Sequence, residues 1–253
     1  IVFGDWSSDV CSSDLVNYPG YIPVTNDENR QRMARLWNVP AENLSSKPGL
    51  TTVEIVKAAH EGKIKALYIM GENPMITDPN LNHTREALKK LELLVVQDIF
   101  ETETTQYAHV VLPASSFAEK EGTFVNSDRR VLRVRKAVEM PGNAREDWKI
   151  ISEIALRMGK PIGNYNNASE IFDEIAMAAP MMAGIDYERI EKQGIQWPCP
   201  DKSHPGTRTL FLEKFNTPSG KARMFPVEYA EQNEKVSEQD RKSTRLNSSH
   251  RIR

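Results

Sequence analysis

The amino-acid sequence predicts an α/β fold built on a parallel β-sheet. Three short apolar runs, at residues 65–70, 93–97 and 109–112, each stop at a glycine, a polar residue or a proline. Runs of this length and ending are typical of buried strands, and segments with helical spacing lie between them. Strands that alternate with helices pair in parallel, because each right-handed crossover covers one face of the sheet. We therefore expect a parallel sheet with helices on both faces.

Apolar spacing and end signals predict the helices of the first half. Apolar residues within 53–59 recur at helical spacing directly before the first strand. Asp78 followed by Pro79 marks the start of the next helix, with Asp78 as its N-cap residue. A short helix follows over residues 102–108, and an earlier one covers residues 27–36. Each of the first two strands is thus followed by a helical segment.

The second half begins with more elements of the same kind and then changes character. Residues 130–138 alternate branched apolar with basic side chains, which indicates an edge strand. Residues 147–158 form a strongly amphipathic helix closed by a glycine, and residues 170–179 form another helix. Residues 211–215 and 222–225 flank a Thr-Pro-Ser-Gly sequence and predict a hairpin. We expect this hairpin to lead into a truncated C-terminal domain.

The chain divides into five predicted segments. One stretch of DNA, read on opposite strands, could encode both residues 5–15 and residues 240–250, and that stretch resembles a sequencing adapter. We therefore exclude both ends from the fold and expect them to pack against nothing. The segments are an artefactual adapter-like head (1–15), a connecting segment (16–50), an α/β domain (51–193), a linker with the hairpin (194–239) and an artefactual adapter-like tail (240–253).

Composition excludes several classes of protein. The chain has 253 residues, 39% of them hydrophobic and 27% charged, as in an ordinary globular protein. It contains no apolar run long enough to span a membrane and no visible signal peptide. Its pI of about 6.3 argues against a nucleic-acid-binding protein. These observations favour an ordinary globular protein of one large domain or one and a half.

Cysteine and histidine usage predicts neither a disulfide framework nor a metal site. Cys11 lies in the excluded head, which leaves Cys199 alone, and this fits a reducing, cytoplasmic setting. The histidines His60, His83 and His204 have no partner at metal-ligand spacing.

Polar and turn residues follow the ends of the three predicted strands. Gly71, Glu72 and Asn73 follow the first strand, and Gln97 and Asp98 end the second. Ligands of open α/β sheets bind beyond the carboxyl ends of strands. Carboxylates there suit sugar hydroxyls, and glycine lets backbone N–H groups approach a phosphate. The pattern favours a nucleotide-like ligand, although ordinary turn and cap residues would give the same pattern. The sequence contains no GxGxxG motif and no P-loop, so the usual dinucleotide and triphosphate motifs are absent.

Four motifs resemble the molybdopterin oxidoreductase family, in the family's order and at its spacing. They read ALYIMGENP at 66–74, VQDIFETET at 96–104, AHVVLP at 108–113 and EKEGTF at 119–124. Asp147-Trp148 at a helix start and the WPC sequence at 197–199 resemble the formate dehydrogenase branch in particular. Nitrate reductases and assimilatory relatives share much of the first set, so the branch is the less specific part of the resemblance.

The resemblance implies a fold and a set of binding residues. This piece would be the third domain of the family's fold, a Rossmann-like layer that grips one of two molybdopterin guanine dinucleotides. The cofactor would carry molybdenum or tungsten. The implied cofactor-binding residues are Gly71, Glu72, Asn73, Gln97, Asp98, Lys120 and Asp147.

The resemblance also implies how four of these residues act. Gln97 and Asp98 would hold the guanosine part, and Lys120 would meet phosphate or pterin. Asp147 would accept hydrogen bonds from the guanine edge. Two simpler interpretations stay open: Asp147 only complements a helix N-terminus, and Lys120 is a solvated surface lysine. We expect six polar side chains to line one open groove: Glu72, Asn73, Gln97, Asp98, Lys120 and Asp147.

The family's chemistry implies that this chain lacks the catalytic residues. A formate dehydrogenase oxidises formate to carbon dioxide and passes two electrons on, so electron-transfer subunits are expected partners. The molybdenum ligand and a four-iron four-sulfur cluster would precede Val16, and a further domain would follow Tyr229. We therefore expect the chain alone to be inactive. Two alternatives stay open: another molybdopterin oxidoreductase, such as a nitrate reductase-like enzyme or a respiratory complex subunit, and a non-redox nucleotide-binding module.

Overall fold

The computed structural model describes residues 2–3, 17–160, 163–227 and 229. The chain divides into two compact units, Ile1–Arg208 and Thr209–Arg253. No helix in the described part of the chain is both long enough and apolar enough to cross a membrane.

The first unit contains all the regular strands and α-helices that the structure describes. The strands are β1 (Val2–Phe3), β2 (Asn17–Tyr18), β3 (Ile22–Pro23), β4 (Ala66–Met70), β5 (Leu93–Asp98), β6 (Val110–Pro113), β7 (Gly122–Val125), β8 (Arg130–Val134) and β9 (Ile195–Gln196). The α-helices are α1 (Asp27–Leu36), α2 (Thr52–His60), α3 (Pro74–Thr77), α4 (Leu81–Lys89), α5 (Asp147–Arg157) and α6 (Ala168–Ala178).

The main sheet is parallel, as the alternation of strands and helices predicted. Its four strands lie in the order β1-β4-β5-β6, and every neighbouring pair runs in the same direction. The register places Met70 beside Gln97 and Asp98 beside Pro113. The carboxyl ends of β4, β5 and β6 therefore meet at one edge of the sheet.

The two faces of this sheet carry different side chains, because successive strand residues point to opposite sides. Ile69, Leu94 and Val96 are buried in one core cluster with side chains from α2, α3 and α4. Tyr68 and Gln97 occupy the opposite face, where the first turn of α5 meets them. Helical segments therefore lie against both faces, as predicted.

The predicted helix start at Asp78 is wrong by two residues. The helix α4 begins at Leu81, and its N-cap residue Asn80 accepts a hydrogen bond from the His83 backbone N–H at 3.1 Å. Asp78 is instead the extended C-cap residue that follows the short helix α3. A residue before proline disfavours the helical backbone conformation. This explains why the helix ends at Asp78 and a new helix begins only after Pro79.

A second, antiparallel sheet of β7, β8 and β9 lies further along the chain. The strand predicted over 130–138 is shorter than expected and ends at Val134. Its partner β7 was not predicted as a strand. It overlaps the EKEGTF motif at 119–124, which served only as part of the family resemblance. Val131 from β8 joins Phe172, Ile185 and Ile190 in a second buried cluster.

The connecting segment 16–50 is anchored to α6. Its helix α1 has the bounds that the sequence predicted. The Arg32 guanidinium donates to the backbone oxygens of Met177 at 3.1 Å and Ala178 at 2.6 Å, at the C-terminal end of α6. The Trp37 indole N–H donates to the Glu174 carboxylate at 3.1 Å. The segment is thus tied to the fold by polar contacts.

The prediction that residues 1–15 pack against nothing is wrong for Val2 and Phe3. They form β1, which pairs in parallel with Ile69 and Met70 of β4. An edge strand offers unpaired backbone groups, so even two extended residues can add to it. Residues 4–15 and 240–253 lie outside the described part of the chain.

The hairpin predicted in the second unit is also wrong. Within residues 209–227 and 229 the structure assigns no strand, and only a turn is formed. The Phe215 N–H donates to the Gly220 oxygen at 2.9 Å, and the Gly220 N–H donates to the Thr217 oxygen at 2.9 Å. Leu212 and Met224 are exposed, so the apolar side chains on either side of the turn are not buried as those of a packed strand pair would be.

Candidate cofactor-binding site

A short backbone connection brings the start of α5 to the carboxyl edge of the main sheet. Ala114 and Arg145 form an isolated parallel bridge just beyond β6. The Arg145 N–H donates to the Pro113 oxygen at 3.1 Å, and the Ser115 N–H donates to the Arg145 oxygen at 2.9 Å. Asp147, two residues later, therefore lies beside the ends of β5 and β6.

Five residues form a hydrogen-bonded group at this edge, which we call the Asp147 cluster: Tyr68, Gln97, Ser115, Lys120 and Asp147. The Tyr68 hydroxyl donates to Gln97 Oε1, and Gln97 Nε2 donates to Asp147 Oδ1 at 2.7 Å. Lys120 Nζ donates to Asp147 Oδ2 and, at 3.1 Å, to the Ser115 backbone oxygen. The cluster thus links β4, β5 and the loop after β6 to the first turn of α5.

The cluster is buried at one end and accessible at the other. Gln97 is fully buried, whereas the side chains of Lys120 and Asp147 are each 26% exposed. Burial, and then the Asp147 charge, raise the pKa of Tyr68 to about 12, so its hydroxyl stays protonated and donates. The buried Tyr68–Gln97 contact therefore fixes one side of the carboxylate, and the ion pair lies where a ligand can reach it.

Asn73 belongs to a separate group that holds the loop after β5. Its Oδ1 accepts from Thr104 Oγ1 at 2.7 Å and from the Thr104 N–H at 3.3 Å. Its Nδ2 donates to Glu103 Oε2 at 2.8 Å, and this hydrogen bond is the main reason that the pKa of Glu103 is lowered. The side chain of Asn73 is therefore engaged by the protein itself.

Glu72 and Asp98 form the acidic part of the same edge. Burial raises the pKa of Glu72, and the charges of Asp78 and Asp98 raise it further. The Asp98 carboxylate accepts from the Phe100 N–H at 3.2 Å. Asp98 directly follows Gln97 in β5, so it points to the opposite face of the sheet.

The structure thus brings together only part of the predicted set. Gln97 and Lys120 both contact Asp147, whereas Asp98 points away from Asp147 and Asn73 bonds to the loop after β5. The expectation of one shared groove fits the first three residues and not the whole set. Their roles in binding stay predictions.

Gly71 differs from the sequence expectation in one respect. Its φ of +64° is a left-handed conformation that favours glycine, and a side chain there would meet nothing within 4 Å. However, its N–H already donates to the Gln97 backbone oxygen at 2.9 Å. Gly71 therefore permits a turn at the open carboxyl edge of the sheet, and its N–H is not available to a phosphate.

Two hydroxyl groups at this edge fit a polar ligand. Within the described residues, Ser115 Oγ and Thr102 Oγ1 are buried and have no hydrogen-bond partner. Ser115 is 2% exposed and follows β6, and Thr102 lies in the loop after β5. A buried hydroxyl without a partner costs about 1–3 kcal/mol, so polar groups of a bound nucleotide would suit both positions.

Sequence reasoning missed Tyr68 and Ser115. Tyr68 could have been found, because it lies two residues before Met70 and Met70 pairs with Gln97 in the sheet. A long side chain at that diagonal position reaches its neighbour on the next strand. Ser115 gave no comparable signal, since serines after a strand are common turn residues.

The histidines gave one contact that sequence spacing did not reveal. The rings of His60 and His83 have their centroids 4.5 Å apart, although 22 residues separate the two along the chain. Among the described residues, no group of three or more histidine, cysteine, aspartate and glutamate side chains is arranged to hold a metal ion.

Comparison with known proteins identifies the family. The molybdopterin oxidoreductase family matches residues 15–157. The alpha subunit of a formate dehydrogenase from Methanocaldococcus jannaschii is 46% identical over 215 residues, which cover 85% of this chain and 31% of that protein. Formate dehydrogenase H of Escherichia coli is 44% identical over 225 residues, covering 88% of this chain and 31% of that protein.

A solved structure supports the fold. Acetylene hydratase from Pelobacter acetylenicus matches with a TM-score of 0.54 at 20% identity, over 81% of this chain and 28% of that one. The chain therefore spans about a third of the length of these relatives. The family implies a pterin cofactor that carries molybdenum or tungsten. With its family motifs, its parallel sheet and these relatives, the chain belongs to the molybdopterin oxidoreductase family.

Proposed function

We propose that this chain is part of the catalytic alpha subunit of a formate dehydrogenase and binds a molybdopterin guanine dinucleotide. The whole enzyme would oxidise formate to carbon dioxide and pass two electrons to partner subunits. The iron-sulfur cluster and the molybdenum ligand would belong to parts of the enzyme outside this chain. The residues at the carboxyl edge of the main sheet would hold the nucleotide half of the cofactor.

The Asp147 cluster is the observation that carries this proposal. It gathers a carboxylate, an ammonium group and a fixed amide at the sheet edge where α/β proteins bind nucleotides. The orphaned hydroxyl of Ser115 adds a donor and acceptor at the same edge. The formate dehydrogenase relatives favour formate over other substrates of the family.

Different residues of this chain would bind different parts of the nucleotide. Asp98 would accept hydrogen bonds from ribose hydroxyls, and Ser115 would bond a polar group of the cofactor. Glu72, whose pKa is raised by burial, would lie beside the dinucleotide. The cofactor, when bound, supplies a redox-active metal, and this chain contributes binding and orientation.

Nucleotide binding by the purified chain tests the proposal. We expect GDP to bind in isothermal titration and ADP to bind at least tenfold more weakly. Replacing Asp98 by Ala removes a charge-assisted hydrogen bond worth roughly 1.5–3 kcal/mol, so GDP affinity should fall by about one to two factors of ten. The control is Asp173→Ala, an exposed carboxylate on α6, which should leave GDP affinity unchanged.

Two outcomes would contradict the proposal. One is a chain that folds but shows no affinity for GDP. The other is equal affinity for GDP and ADP, which would favour a nucleotide-binding module without guanine selectivity. Folding is checked on the same sample by circular dichroism.

A further inference from the structure

The imidazole rings of His60 and His83 lie next to each other where α2 meets α4. Their ring centroids are 4.5 Å apart, and both side chains are partly exposed. His60 is the last residue of α2, and its backbone oxygen accepts from Lys90 Nζ at 2.8 Å. His83 lies in the first turn of α4, where its N–H donates to Asn80 Oδ1 at 3.1 Å. These contacts fix both backbones, so the two rings are held side by side at the surface.

The ring nitrogens of this pair are not used by the protein. Within the described part of the chain, no group forms a hydrogen bond with a ring nitrogen of His60 or His83. By contrast, Nδ1 of His109 and Nδ1 of His204 each accept a backbone N–H, at 2.9 Å and 3.0 Å. A neutral imidazole has one nitrogen that can act as an acceptor or as a metal ligand. The pair therefore presents two unused nitrogen ligands next to each other.

The spacing of the two rings suits a single metal ion. A metal ion bonds an imidazole nitrogen at about 2.0–2.1 Å, which places it roughly 3.2 Å from the centroid of that ring. Two rings bound at a right angle then have centroids roughly 4.5 Å apart, whereas the tetrahedral angle gives roughly 5.2 Å. The observed 4.5 Å matches the right angle, which nickel(II) and copper(II) adopt.

The charges around the pair are nearly balanced. The two histidines line a cavity of about 360 Å³ whose other charged lining residues are Lys57, Glu61 and Asp78. Glu61 is already paired with a lysine at 2.7 Å, which leaves Lys57 and Asp78 to offset each other. Such a cavity offers little general attraction to a cation. Imidazole nitrogens suit transition metals, whereas magnesium and calcium prefer several oxygen ligands.

We propose that His60 and His83 form a two-nitrogen site for a divalent transition-metal ion, nickel(II) or copper(II) in preference to zinc, with water at its remaining positions. Among the described residues, no group of three histidine, cysteine, aspartate and glutamate side chains is arranged to hold the ion by itself. The bound ion would tie α2 to α4, both of which pack on the main sheet. This proposal does not depend on the proposed function.

Nickel binding to the purified chain tests the site. In isothermal titration, His60→Gln and His83→Gln should each lower the affinity for Ni²⁺ by about tenfold or more, because each removes one of two ligands. The double variant should bind no better than either single variant. His204→Gln is the matched control, because Nδ1 of His204 is already occupied by a backbone N–H. That variant should bind Ni²⁺ as the unmodified chain does.

Thermal unfolding of the unmodified chain gives a second measurement. A metal ion that binds only the folded chain raises the midpoint of unfolding, by about 5 °C or more at a concentration of about 100 times Kd. We expect this rise with Ni²⁺ and not with Mg²⁺ at the same concentration. The rise should disappear between about pH 7.5 and pH 5, because protons compete with the metal for imidazole.

Three results would overturn the proposal. One is an unmodified chain that is folded by circular dichroism and does not bind Ni²⁺. Another is nickel affinity that is the same in His60→Gln, His83→Gln and the unmodified chain, which would place the ion elsewhere. The third is an equal rise of the unfolding midpoint with Mg²⁺, which would assign the effect to carboxylates and not to the two imidazoles.

Discussion

Glu72 lies at the end of β4 in surroundings that make its negative charge unfavourable. Burial and the nearby charges of Asp78 and Asp98 raise its pKa in the folded chain above the ordinary value. Between those two pKa values the folded chain binds more protons than the unfolded chain. This group's contribution to stability is therefore present below the unfolded pKa of about 4.3 and is lost as the pH rises through the folded pKa.

Replacing Glu72 by Gln should therefore stabilise the chain at neutral pH. We expect a gain of about 0.5 kcal/mol in the free energy of unfolding at pH 7, kept small because solvent screens a partly exposed carboxylate. The gain should shrink as the pH falls below about 4.3, where the wild-type carboxyl becomes protonated in both states. Urea unfolding at a series of pH values measures it.

The control for this prediction is Glu101→Gln, an exposed glutamate in the loop after β5. That substitution should change the unfolding free energy little at any pH. A Glu72→Gln chain that is less stable than the wild type at pH 7, or a gain that grows on acidification, would contradict the explanation.

Single residues show what sequence reasoning could and could not supply. The resemblance singled out Gln97, Lys120 and Asp147, and the structure brings all three into contact. It did not reveal that Lys120 and Asp147 bond to each other, because their contact depends on the backbone bridge from Ala114 to Arg145. Lys120 and Asp147 are 27 positions apart, with β7, β8 and a loop between them, so their pairing follows no period that a sequence pattern could display.

At the scale of elements, helix α1 was predicted with its correct bounds but without its partner. Its N-cap residue Asn26 and its acidic first turn are local signals that lie in the sequence. Its docking on α6 depends on Arg32, which reaches over 145 residues of sequence to the Met177 oxygen. Local signals set where a helix begins and ends, whereas its packing depends on residues far away in the chain.

Arg32 should contribute measurably to the anchoring of the connecting segment. Its guanidinium donates to two backbone oxygens at the C-terminal end of α6, where a positive charge also favours the helix dipole. Replacing Arg32 by Met keeps much of the side-chain length and removes both hydrogen bonds. The free energy of unfolding should fall by about 1.5–3 kcal/mol, as measured by urea denaturation.

Arg35→Met on the same helix is the matched control. Arg35 is exposed in the last turn of α1, so its loss should cost no more than about 0.5 kcal/mol. Equal effects of the two substitutions would mean that the contacts of Arg32 with α6 add nothing to stability.

The two wrong element predictions each rested on a local signal that fits more than one structure. The Asp78-Pro79 signal was assigned to a helix start, but a residue before proline also ends a helix, and α3 was too short to show a pattern of its own. The hairpin at 211–225 was inferred from a turn sequence between apolar runs. The turn forms, yet the flanking residues stay exposed, so turn chemistry alone does not create strands.

At the scale of the whole molecule, the parallel sheet followed from chain order alone, while the second sheet did not. Three apolar runs separated by helices leave little choice but parallel pairing. Strand β9 joins β8 from 61 residues further on, by a pairing of only two residues. So short a strand carries no alternation of polar and apolar residues to recognise.

The purified chain should neither oxidise formate nor retain molybdenum. Its candidate binding residues lie along one sheet edge and would cover only one side of the cofactor. Cys199, the one cysteine of the sequence outside the head, is fully buried and hydrogen-bonded to Arg189, so its thiol cannot reach a metal at the sheet edge. The chain also spans about a third of its formate dehydrogenase relatives.

Reduction of a viologen dye by formate measures the activity, and elemental analysis of the purified chain measures the metal. Formate dehydrogenase H of Escherichia coli serves as the positive control in both measurements. Turnover by the chain above the blank would contradict the assignment of the catalytic residues to other parts of the enzyme. A chain that still binds GDP yet shows no turnover would have a folded site, and its inactivity would then reflect the missing catalytic residues and not a loss of structure.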